Sequence, residues 1–148
     1  MITLQFIDDP NPASLAIKLF ERGWAAHVDA VLPDGTLLGA RLDGGVAIRP
    51  PNYIAMTRRR VVALNTTQAQ DDGFYAFLRA QLGKPYDIEA IAAFAVERDW
   101  RQPDSWFCSE LQARALELCG FFRRALANSA NEITPRDLLL VLSPWDMT

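Results

Sequence analysis

Ala26-His27-Val28-Asp29-Ala30-Val31-Leu32-Pro33-Asp34-Gly35-Thr36-Leu37-Leu38-Gly39-Ala40-Arg41 is the stretch that decides the fold. Two aliphatic runs flank Pro33-Asp34-Gly35, a trio that sets φ, caps its own backbone and admits a left-handed residue. The reading is an antiparallel hairpin, with strands from Ala26 to Leu32 and from Thr36 to Arg41. Asp43-Gly44-Gly45 makes the next turn, Val46 to Arg49 the next strand, and Pro50-Pro51 stops it. Arg60 to Asn65 reads as a further strand, and Ile2 to Ile7 as a short strand near the start.

Helical patterns surround this strand-rich middle. Asn11 or Ser14 can cap a helix running to about Arg22. Thr66 or Thr67 can cap another from Gln68 to Leu82, with Phe74, Phe77, Leu78 and Leu82 on its apolar side and Gly83 and Pro85 at its end. Ile88 to Val96 reads as a more apolar helix. Ser105 is the expected N-cap of the next helix, which carries Cys108 and Cys119 and is stopped by Gly120. Thr134-Pro135 opens a last element, Arg136 to Leu142, that can be helix or strand. Strands grouped between helices give an α+β fold with a central antiparallel sheet packed by helices, in one domain over residues 1–148.

Composition narrows the function classes. Half of the 148 residues are hydrophobic and 22% are charged, the balance of a packed globular chain. A net charge of −3 gives no electrostatic case for nucleic acid. The triplet Arg58-Arg59-Arg60 reads as a solvated strand edge rather than a phosphate site. No basic, apolar leader opens the chain, and no uncharged run is long enough to span a bilayer, so the expected location is the cytoplasm. Cys108 and Cys119, about 16 Å apart along one helix, cannot form a disulfide. One histidine and no Cys-x-x-Cys pair leave no metal site to propose.

The candidate chemistry is that of a thiol. A helix start offers unpaired N–H groups and the positive end of the macrodipole, so Cys108 in Trp106-Phe107-Cys108-Ser109-Glu110-Leu111 is placed where a thiolate is favoured. The competing reading is a small buried apolar residue, which suits Cys119 at the far end of the helix better. His27 is the sole histidine and hence the candidate base, unless it is a structural residue of the sheet. Asp29 shares the strand face of His27 and is the candidate to orient it. It lies roughly 7 Å along the strand, so an oblique contact is expected, with a backbone carbonyl or water as the other possible partner. The glycines of Asp43-Gly44-Gly45 read as turn residues, Arg49 as an exposed strand end, and the four tryptophans as core and rim packing.

Ala26-His27-Val28 and its hairpin, Gly83-Lys84-Pro85-Tyr86-Asp87, Trp106 to Leu111, and Thr134-Pro135-Arg136-Asp137-Leu138 follow one another in an order that resembles a known family. It is the permuted branch of the NlpC-type papain-like cysteine hydrolases, with the lecithin retinol acyltransferase-like proteins. The resemblance implies a circularly permuted papain-like fold with Cys108 as nucleophile, His27 as general base and no cofactor. It also implies a Cys108 backbone N–H in the oxyanion hole and Tyr86 lining the substrate site, where packing at a helix end is the alternative. The residue that orients the histidine in that family is polar and about twelve positions later; here that position is Gly39. The implied partner is a peptide, amide or acyl-ester substrate. The second expectation, drawn from Gly39, is a non-catalytic module on the same fold, perhaps in a phage or other assembly.

Overall fold

The hairpin stretch folds as expected. In a computed structural model that describes residues 1–8, 10, 23–87 and 104–148, β2 (His27–Val31) and β3 (Leu37–Arg41) flank a turn in which Asp34 Oδ1 accepts from Thr36 N at 2.9 Å. With β1 (Ile2–Asp8), β4 (Gly45–Arg49) and β5 (Arg58–Leu64) they form an antiparallel sheet in the order β4-β3-β2-β1-β5. The register sets Leu4 opposite Ala30 and Val62, and Ala30 opposite Leu38, which builds one apolar face.

Three helices are described. Helix α1 (Gln68–Ala80) is capped by Thr67, whose backbone N–H in turn donates to Gln70 Oε1 at 3.0 Å. It buries Phe74 and Leu78 in the core, but it ends before Leu82, which is 42% exposed and not part of the expected apolar side. Helix α2 (Cys108–Leu118) packs on β2, β3 and α1 and is covered by core residues along Leu111, Ala115 and Leu116. Helix α3 (Pro135–Leu142) settles the last element as helix: Thr134 caps it, Asp137 completes the capping box and Pro135 occupies the first turn. The helices expected before Arg22 and over Ile88 to Val96, together with Trp100, lie outside the described residues.

The start of α2 differs from expectation. Its N-cap is Phe107, whose N–H donates to Glu110 Oε2 at 3.3 Å, and not Ser105. Trp106 is held extended because it bridges to Tyr86: Trp106 N–H donates to Pro85 O and Asp87 N–H to Trp106 O, both at 3.1 Å. A helix therefore cannot begin until Cys108. No helix among the described residues is long and apolar enough to cross a membrane.

Candidate active site

The first turn of α2 sets Cys108 in the protein interior, fully buried. Two side chains beyond it fix the helix against its neighbours. Ser109 Oγ donates to Ile133 O at 2.6 Å, and Gln112 Nε2 donates to Leu38 O on β3 at 3.0 Å. Gln112 Oε1 is buried with no hydrogen-bond partner among the described residues. Cys119, at the other end of the helix, is half-buried, donates to Leu116 O, and its thiol is pushed up by burial. Both cysteines are free thiols.

His27 opens β2 and is 5% exposed. Its Nε2 lies 2.9 Å from Asp29 Oδ1, and the Cys108 side chain is close enough to the same ring to act on it electrostatically. Cys108, His27 and Asp29, separated by up to 81 positions in the chain, thus meet at one point. Burial by itself disfavours an imidazolium here, but the Asp29 carboxylate and the Cys108 sulfur outweigh it and His27 is pushed up to about 10. The Asp29 carboxyl moves the other way. Burial would raise it, yet His27, a Tyr53 hydrogen bond and the Arg49 charge hold it below the usual carboxylate range.

The Asp29 contact is direct, not oblique, and Gly39 is the reason. Pairing of β2 with β3 covers Ala30↔Leu38 and Val31↔Leu37, which brings Gly39 alongside Asp29. A Cβ at position 39 would stand 1.9 Å from Asp29 Oδ1 and 3.0 Å from Asp29 Cγ. The carboxylate therefore fills the volume that a side chain on β3 would need. The missing side chain and the strand-sharing aspartate are one feature.

Tyr53 and Arg41 complete the cluster, and neither stood out in the sequence. Tyr53 Oη donates to Asp29 Oδ2 at 2.8 Å, and Arg41 Nη1 donates to Tyr53 Oη at 3.3 Å. The guanidinium carbons of Arg41 and Arg49 lie 5.2 and 5.7 Å from the centre of the Tyr53 ring. Burial and the Asp29 charge push the Tyr53 phenol up, so it stays a neutral donor. Arg49 is not an idle strand end: its guanidinium donates to the carbonyls of Gly39, Ala47, Asp43 and Gly45, which ties the β3–β4 turn together.

Tyr86 is bridged to Trp106, two residues before Cys108. It is half-buried beside the helix start, its ring 5.7 Å from that of Phe107, the residue before Cys108. It lines a surface hollow of about 350 Å³ with Gly44, Gly45, Lys84 and Pro85. The close backbone approach that Gly45 permits is to Lys84, whose carbonyl O would be 2.2 Å from an added Cβ. A larger cavity of about 560 Å³ lies beside the helix start, lined by Ser105, Trp106, Glu110, Arg114 and the loop from Ala125 to Ala130. The arginine triplet on β5 is exposed, with Arg58 over the Trp24 ring at 4.2 Å and Arg60 paired to Asp146 at 3.2 Å.

A scan of the chain against protein-family models finds no match, and a search of curated proteins finds none either. The functional reading therefore rests on the residues and their geometry.

Proposed function

We propose that the protein is a cysteine hydrolase that cleaves a peptide, amide or acyl-ester bond through a thioester on Cys108. The observation that carries the reading is the cluster of three buried groups, thiol, imidazole and carboxylate, with Asp29 on Nε2 and the Cys108 sulfur acting on the same ring. In this reading His27 holds the thiol proton while the sulfur adds to the substrate carbonyl carbon and the C=O pair moves onto oxygen. Collapse of the adduct breaks the bond to the leaving amine or alkoxide, which takes the proton from His27. Water then adds to the thioester with His27 as base, and the acid and the free thiol are released. The Cys108 N–H, in the first turn of α2, is a donor for the oxyanion.

The circularly permuted papain-like fold belongs to this proposal. Its support is the order of parts, a histidine strand before a cysteine helix that packs on the sheet. Tyr86 and its hollow are the proposed substrate side. No cofactor enters the chemistry. A second reading, a non-catalytic binding or assembly module on the same fold, of the kind a phage assembly uses, draws on one observation. Cys108 is 0% and His27 5% exposed, so a carbonyl reaches the sulfur only when the site opens.

A small activated ester such as p-nitrophenyl acetate distinguishes the two. The hydrolase reading expects one acetyl adduct, mapped by mass spectrometry to Cys108 and cleaved by hydroxylamine. The adduct is lost in Cys108→Ala, retained in Cys119→Ser, and formed roughly 10²–10⁴-fold more slowly in His27→Ala. Absence of an adduct, or a rate indifferent to His27, leaves the non-catalytic reading.

A further inference from the structure

We propose that Tyr53, held by Arg41, is a positioning residue that fixes the Nε2 proton of His27 on Asp29 and so leaves Nδ1 to exchange its proton with Cys108. The argument is one of donors and acceptors. A guanidinium has no acceptor, so in the 3.3 Å contact Arg41 Nη1 donates and Tyr53 Oη accepts. The single hydroxyl proton of Tyr53 is then directed at Asp29 Oδ2, 2.8 Å away. Asp29 must accept there, and as a carboxylate it accepts again through Oδ1, 2.9 Å from His27 Nε2. Nε2 therefore carries a proton, and Nδ1 is the nitrogen left for the Cys108 sulfur. The direction of every bond from Arg41 to the thiol follows from the one group that cannot accept.

The groups around Asp29 come from four elements. His27 shares β2 with it, Arg41 stands on β3 and Arg49 on β4; Tyr53 follows β4, and Cys108 faces the ring from α2. Tyr53 is reached by a loop, so its position owes nothing to sheet register. It acts through Asp29 and His27 and need not touch substrate. The inference rests on His27 serving Cys108, but its test is independent of turnover.

His27 is the sole histidine, so [15N]histidine labelling reports one imidazole. We place all variants in a Cys108→Ser background, in which no thiolate can charge the ring and hydrolysis is not read. With Asp29→Asn, Tyr53 still donates to the amide oxygen, so the amide NH₂ faces Nε2 and drives the proton to Nδ1. The expected spectrum at pH 8 is a single Nδ1–H tautomer. Adding Tyr53→Phe, which keeps the ring under the two guanidinium groups, frees the amide to turn and should give both tautomers. Identical tautomer populations with and without the Tyr53 hydroxyl overturn the proposal.

Should Asp29→Asn fail to fold, Tyr53→Phe alone with Asp29 intact is decisive. Losing one hydrogen bond to a charged group should move the acid step of Asp29, read at His27 Nε2, upward by about one to two pH units. An unmoved acid step overturns the proposal as well. If the tautomers respond as expected while p-nitrophenyl acetate leaves no adduct on Cys108, the hydrolase reading fails and the positioning role stands.

Discussion

Gly39→Ala tests the geometry of the site most sharply. The new Cβ would lie 1.9 Å from Asp29 Oδ1, against 3.4 Å or more in an ordinary contact. The carboxylate tip can swing away, but not while keeping the 2.9 Å contact with His27 and the 2.8 Å bond from Tyr53. Separating a buried charge from its partner costs about 3–5 kcal/mol, and crowding without that loss costs about 1–3 kcal/mol. We expect Gly39→Ala to lower stability by about 2–5 kcal/mol, and to drop the His27 titration from about 10 toward its ordinary 6.5, since only the Cys108 sulfur then opposes burial. The assays are urea unfolding and the [15N]histidine titration. Gly35→Ala is the control, because an added Cβ there meets nothing within 4 Å and carries only the strain of φ +84°. In an Asp29→Ala background, Gly39→Ala should cost much less than in the native chain. A stable Gly39→Ala protein with an unshifted His27 would refute the idea that Gly39 exists to admit Asp29.

Three further outcomes follow from the same description. His27, raised to about 10 in the fold from 6.5, contributes stability that is complete below about 6.5 and lost as pH climbs through 10. Asp29, lowered in the fold, contributes stability present above about 3.9 and lost as pH falls. Urea midpoints measured against pH should therefore fall on both sides of this window, and in His27→Ala the alkaline fall should shrink. Gly45→Ala combines a left-handed φ of +62° with a Cβ 2.2 Å from the Lys84 carbonyl O. It should cost about 2–4 kcal/mol in thermal or urea unfolding and shift the Tyr86 ring resonances. Thr67→Ala removes the cap of α1 at a cost of about 1 kcal/mol in the same assay, with no change in the His27 titration.

The strands were legible because turn chemistry fixes them: Pro33-Asp34-Gly35 and Asp43-Gly44-Gly45 leave the intervening runs little choice but hairpins. Helix α3 was ambiguous over Arg136 to Leu142 because so short a run suits either state; the Thr134–Asp137 capping box decides it. Ser105 has the right side chain for a cap, but a bridge to Tyr86 some twenty residues earlier keeps the chain extended. Such long-range pairing leaves no local mark.

At the site, Cys108 and His27 were readable as a thiol at a helix start and a sole histidine on a strand. The meaning of Gly39 was not. Counting positions made it a missing third group, whereas the strand register makes it the space that Asp29 occupies. Once Ala30↔Leu38 is known the neighbour relation follows, but sequence alone does not set that register to the residue. Tyr53 and Arg41 were further out of reach. One sits in a loop after Pro50-Pro51 and the other ends a strand, and only the folded chain brings Tyr53 to Asp29 and Arg41 to Tyr53.

In the proposed hydrolase, Asp29, lodged beside Gly39, holds the His27 ring charged and available to Cys108. Titration of the single [15N]histidine in the unmodified protein tests it most directly. The account predicts that both ring nitrogens stay protonated until the pH approaches about 10. A ring that loses its proton near 6.5, with no perturbation from Asp29→Asn, would contradict it.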